Sequence, residues 1–136
     1  MNSSCEETAL QPDVLLDSET SLRIKEEFHE ERQVTVHCYF KCPAGEPQLI
    51  RIWKSTFLID KISGHKSRLL HIENISLFPQ WTMVEAGSFY QFTLFFSALP
   101  SECPAFDFVE EIPQSGGFFV SGIKRNDSDV YQINIV

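Results

Sequence analysis

Ser88-Phe89-Tyr90-Gln91-Phe92-Thr93-Leu94-Phe95-Phe96-Ser97-Ala98-Leu99, stopped by Pro100, is the stretch that decides the fold. Read with a period of two, Tyr90, Phe92, Leu94 and Phe96 fall on one face, and Phe89, Gln91, Thr93 and Phe95 on the other. Aromatic residues on both faces predict a central strand rather than an edge.

Upstream, Val34, Val36, Cys38 and Phe40 alternate with Thr35, His37, Tyr39 and Lys41, a half-buried strand that Pro43, Gly45 and Pro47 end. Residues 49–59 are rich in β-formers and predict one strand, or two with a bend at Lys54-Ser55. Asp60 to Ser67, with Ser63-Gly64, reads as a hairpin turn, and Arg68 to Phe78 as the return strand, stopped by Pro79. Downstream, Ala105 to Ile112 places Phe106 and Phe108 on one face and Asp107 and Val109 on the other. Phe118 to Ile123 and Val130 to Val136 close the pattern around a Lys124–Asp129 turn. Near the N-terminus, Val14-Leu15-Leu16 and Leu22/Ile24 predict two short strands, and residues 1–12 a flexible acidic tail. About eight strands of ordinary length, turn signals between them and no long helix predict an all-β domain over residues 13–136, a single antiparallel β-sandwich.

Composition agrees. A chain of 136 residues fits one domain, and twelve Phe supply a large apolar core with few polar atoms to satisfy. The formal net charge is −8. Nine acids against two bases in residues 1–31 carry most of it, and residues 32–136 come to −1. An acidic chain repels phosphate backbones and anionic membranes, which argues against nucleic acid as a partner. No apolar run is long enough to span a bilayer, so no membrane insertion is expected. No basic and apolar leader precedes Cys5, so a cytoplasmic setting with reduced cysteines is the default expectation. Cys38 and Cys42, four strand residues and so about 13 Å apart, are too distant for a disulfide. Cys38 reads as a small core residue and Cys103, between two prolines, as a loop thiol.

Motifs for chemistry are weak throughout. His29, His37, His65 and His71 sit in no nucleophile-elbow pattern, and no catalytic residue is assigned. His37 and Cys38 point to opposite faces of a strand and cannot share an ion, so no metal site is assigned and no cofactor is expected. Gly116-Gly117 lacks the Lys-Ser/Thr of a phosphate loop and precedes a strand. The acids Asp107, Glu110 and Glu111, with Asp127 and Asp129, match no calcium loop. Asp107 and Glu111 share a face, which predicts a solvated edge. A carboxylate-based hydrolase would need two of them to converge across a cleft. Asn74-Ile75-Ser76 and Asn126-Asp127-Ser128 match the glycosylation sequon, a frequent chance match. Trp53 and Trp81, in polar company near strand ends, are the candidate ligand-binding residues, as a platform for a peptide or carbohydrate. Indoles in such folds also serve as core.

Ile52-Trp53-Lys54-Ser55-Thr56-Phe57-Leu58-Ile59-Asp60 with Ser63-Gly64, Ile75 and Pro79 forms one block. Phe92 to Pro100 with Phe106-Asp107-Phe108-Val109-Glu110 and Phe118 to Ile123 forms another. Together they resemble small immunoglobulin-like β-sandwich domains of Bacteroidetes-type bacteria, over roughly residues 34–136. The resemblance implies an interaction or accessory module, often at the cell surface, and carries over no functional residue. The expected function is therefore a non-enzymatic module with a protein partner. Small-ligand or carbohydrate binding through exposed Trp is the alternative, and a hydrolase the further one.

Overall fold

The computed structural model describes residues 32–135. The acidic tail, the two short strands expected between residues 14 and 24, and Cys5 lie outside the described residues. Within them the chain is all-β with no helix. Its strands are β1 (Val34–Lys41), β2 (Gln48–Ile50), β3 (Thr56–Ile59), β4 (Lys66–Glu73), β5 (Thr82–Val84), β6 (Phe89–Phe96), β7 (Ala105–Glu110), β8 (Phe119–Lys124) and β9 (Val130–Ile135). Seven form one sheet in the order β8-β7-β3-β4-β6-β1-β9, and β2 and β5 pair separately.

The expected antiparallel sandwich is corrected in two respects. β9 runs parallel to β1, with Val36 opposite Tyr131 and Cys38 opposite Ile133, so the large sheet is mixed. It is also one bent sheet. The start of β4 pairs with β3, at Lys66 to Arg68, and its later part pairs with β6, across an irregularity between Leu69 and His71. A strand that changes partner at such a point turns a sheet corner. The edge strands β8 and β9 touch, so the sheet is nearly closed into a barrel.

β6 lies inside the sheet, between β4 and β1, as its two aromatic faces predict. Its inner face is Phe92, Leu94 and Phe96, all buried. They meet Val34, Val36, Cys38 and Phe40 of β1, and the other half of the sheet delivers Leu58, Phe106 and Phe108. The Phe96 and Phe108 rings meet edge-on at 6.1 Å, and Phe106 meets Tyr131 at 4.9 Å. Each fully buried side chain of this size stabilises the fold by about 1.5–3 kcal/mol, so these rings dominate the core.

The run 49–59 resolves into two strands. A turn at Lys54-Ser55 separates β2 from β3, where the sequence placed its bend. The return strand ends earlier than expected, at Glu73. Asn74 takes a left-handed backbone (φ 65), its side-chain amide donates to the Gln91 carbonyl, and a new strand, β5, follows Pro79.

Candidate functional site

β2 and β5 pair in antiparallel register, Leu49 opposite Met83 and Ile50 opposite Thr82. Ile50 and Val84 turn into the core. The alternation leaves Leu49 and Arg51 on the β2 side and Trp81 and Met83 on the β5 side on the outer face. The same register places Arg51 across from Trp81. The guanidinium carbon lies 3.7 Å from the Trp81 ring centroid, 4.5 Å from Phe78 and 5.6 Å from Trp53. Phe78 stacks on Trp53 at 3.8 Å. These distances do not fit a straight pile. Arg51 sits beside the Trp53–Phe78 pair and over one face of Trp81, and its Nη1 donates to the Pro79 carbonyl at 3.2 Å.

The two indoles singled out from sequence are thus parts of one cluster, joined through residues that sequence reading did not single out. Trp53 is half-buried and its ring is taken up by Phe78. Trp81 is half exposed, with one face under Arg51. Around it stand Leu49 (55% exposed), Met83 (60%) and Phe78 (45%). Four large apolar side chains, each about half exposed and adjoining one cation, make a contiguous patch, where scattered exposed apolar residues would need no explanation.

Glu110 fixes the cluster from beneath. It is buried at the end of β7, and its two carboxylate oxygens accept from the backbone N–H groups of Trp53 (3.0 Å) and Phe118 (3.1 Å). Burial pushes its carboxyl above the ordinary carboxylate range, and those two hydrogen bonds and the Arg51 charge offset this in part. Between β2 and the loop 112–118 runs a groove of about 310 Å³, with Glu110, Phe40, Phe118, Gln48, Gln114 and Ser115 among its lining residues.

The remaining acids do not converge. Asp107 is buried, accepts from the Gly122 N–H at 2.9 Å and pairs with Lys61 at 3.3 Å, which corrects the expected solvated edge. Its partner there is the peptide of a left-handed glycine in β8 (φ 68), which no sequence spacing announces. Glu111 pairs with Lys66. Asp129, buried, accepts both Arg125 Nε (2.6 Å) and Nη2 (3.1 Å), as well as the Tyr131 hydroxyl (2.8 Å), and faces Arg32 at 3.4 Å. Among the described residues no three His, Cys, Asp or Glu side chains are placed to hold a metal ion. His37 and Cys38 point to opposite faces as expected. His37 Nδ1 lies 2.8 Å from the Thr93 hydroxyl, while Cys38 is in the core. Cys103, expected as a loop thiol, is in a loop but buried, and Cys38, Cys42 and Cys103 are all free.

A second, larger groove of about 790 Å³ is lined by Arg32, Arg68 and Arg125 against Glu102, Asp127 and Asp129. Its charges balance. Arg125 is committed to Asp129 and to the carbonyls of Pro100 and Cys103. The arrangement joins the loop after β6 to the β8–β9 turn and offers an anion little. No helix among the described residues is long and apolar enough to cross a membrane. Comparison with protein-family models, with curated proteins and with solved structures gives no match.

Proposed function

We propose that this chain is a non-enzymatic interaction module, and that it contacts a protein partner through the outer face of the β2–β5 pair. The observation that carries the reading is the contiguous patch of Leu49, Phe78, Trp81 and Met83 around Arg51. Trp, Met and Arg are the side chains enriched where protein surfaces meet, and a prearranged cluster loses little side-chain entropy on binding. Asp107, Glu110, Glu111 and Asp129 are each engaged in a fold contact, which supports a binding role over the hydrolase reading. The buried free thiols support a reducing, cytoplasmic setting.

A second reading has one observation in its favour. The groove beside Trp81 offers Gln48, Gln114, Ser115 and a buried carboxylate next to an indole, the chemistry that takes a hydroxyl-rich ligand such as a carbohydrate.

The test is capture from lysate of the source cells by the full chain and by two variants. Met83→Glu places a charge in the patch, and Ile62→Glu places one at a still more exposed apolar residue on the Asp60–His65 turn. A partner retained by Ile62→Glu and lost by Met83→Glu supports the reading. Loss by neither, or by both, refutes it. Quenching of Trp81 fluorescence by oligosaccharides, with no protein captured, would favour the second reading.

A further inference from the structure

The groove between β2 and the loop 112–118 is lined by four successive residues, Gln48, Leu49, Ile50 and Arg51. Successive strand residues point to opposite faces, and here Leu49 is exposed while Ile50 is in the core. A cavity on a strand's face would touch every second residue. One that touches all four runs along the strand's edge. β5 covers the opposite edge, through Gln48–Val84, Leu49–Met83 and Ile50–Thr82, and of the β5 side only Trp81 reaches the groove. Among the described residues no second strand pairs with β2.

We infer that this groove takes an extended peptide segment of the protein partner, which adds a third strand to the free edge of β2. The inference rests on the protein-partner reading above and names the form the partner's chain takes. Four residues of edge span about 13 Å and present unpaired main-chain donors and acceptors on alternate residues. Main-chain bonds supply the affinity in this mode of recognition, and pockets for alternate side chains supply the selectivity. Phe40, Ile112 and Phe118 among its lining residues suit an apolar side chain. Arg51, at the end of the edge, suits an acidic side chain. The β2 edge has no lysine and no bulge, while its three-residue length and Pro47 just before it, both devices that limit edge pairing, restrict the added strand to a short segment. β8, an edge of the large sheet, has a left-handed Gly122, a register shift against β7 and Lys124.

The experiment selects a random-peptide phage library on the full chain and remakes the enriched peptide with single N-methyl groups along its backbone. N-methylation removes one donor at a time and leaves the protein untouched. The expected result is an enriched pattern of alternating apolar residues. N-methylation should weaken binding about 5- to 10-fold at every second position and little at the positions between. Protection of the β2 amides from hydrogen exchange should accompany binding, and Ser115→Trp, which fills the groove from an exposed turn, should abolish it. Absence of any enriched peptide, or N-methylation without positional alternation, overturns the inference. If Met83→Glu releases the captured partner but Ser115→Trp does not, the partner uses the patch and not the edge. The strand-addition inference then fails while the protein-partner reading stands.

Discussion

If Arg51 holds the aromatic cluster together, its charge and the Trp81 ring must depend on each other energetically. Arg51→Met keeps an apolar stem of similar reach and removes the guanidinium. Trp81→Leu keeps an apolar side chain and removes the ring. The 3.7 Å separation is close contact, but Trp81 is half exposed, so the pair lies between the exposed and the desolvated limits of cation–π strength. That places the coupling at about 1 kcal/mol. The single change Arg51→Met should cost more, about 1.5–3 kcal/mol, because it also removes the bond to the Pro79 carbonyl and the contact with Phe78. Urea unfolding of the wild type, both single variants and the double variant, followed by circular dichroism so that the lost indole does not alter the signal, gives the coupling directly. A coupling below about 0.3 kcal/mol, within the additivity of unconnected sites, would refute the claim that this cluster is held as a unit.

Three further outcomes follow from other parts of the fold. Asp129→Asn keeps a residue type that tolerates the left-handed backbone at φ 56 and removes the charge facing Arg125 and Arg32, so urea unfolding should show a loss of about 2–4 kcal/mol. Burial pushes the Asp129 carboxyl up, but the hydrogen bonds from Arg125 and Tyr131 and the two guanidinium charges outweigh it, so it titrates below the ordinary value. A carboxyl depressed in the folded state stabilises fully above its unfolded pKa of about 3.9, and that contribution is lost as pH falls through the folded value. The wild type should therefore lose stability in acid more steeply than Asp129→Asn, and parallel acid profiles would remove Asp129 from the account. Gly117→Ala would bring a methyl group to 2.3 Å from the Glu110 carbonyl oxygen, which the backbone cannot accept unmoved, so thermal unfolding should show a cost of about 1–3 kcal/mol; an unchanged melting temperature would mean the groove wall yields freely. Burial pushes the Cys38 thiol far up, and Cys42 and Cys103 are buried too. In a Cys5→Ser chain none of the three should be alkylated before unfolding, and prompt labelling of Cys38 in native buffer, read by mass spectrometry, would contradict its place in the core.

Long alternating runs were legible from sequence because each carries enough residues to define a period. β1 and β6 are eight residues each; the buried face of β1 is the one the alternation predicts, and β6 lies inside the sheet as its two aromatic faces predict. The turns at Lys54-Ser55, Ser63-Gly64 and Lys124–Asp129 were legible from residue type. β5, with three residues, has too short a run to show a period, and its neighbour β2 was legible only as part of a longer run. Nothing local tells a C-terminal strand that its neighbour will be β1, or that it will run parallel to it, since alternation describes a strand's faces and not its edges. For the same reason the burial of Asp107 escaped notice, because what satisfies it is the Gly122 peptide fifteen residues on.

The candidate site divides along the same line. The sequence by itself determined an all-β chain with β6 inside its sheet, and marked Trp53 and Trp81 as side chains out of keeping with their polar neighbours. Only the tertiary structure decided that these indoles belong to one cluster, because Arg51 meets Trp81 beside the β2–β5 pair and Phe78 meets Trp53 beside the parallel Ile52–Leu77 bridge, and not through any spacing along the chain. It also decided that, among the described residues, β2 pairs along one edge only. Hydrogen bonds between strands connect whichever backbones the core brings side by side, and which backbones those are depends on the packing of the whole chain.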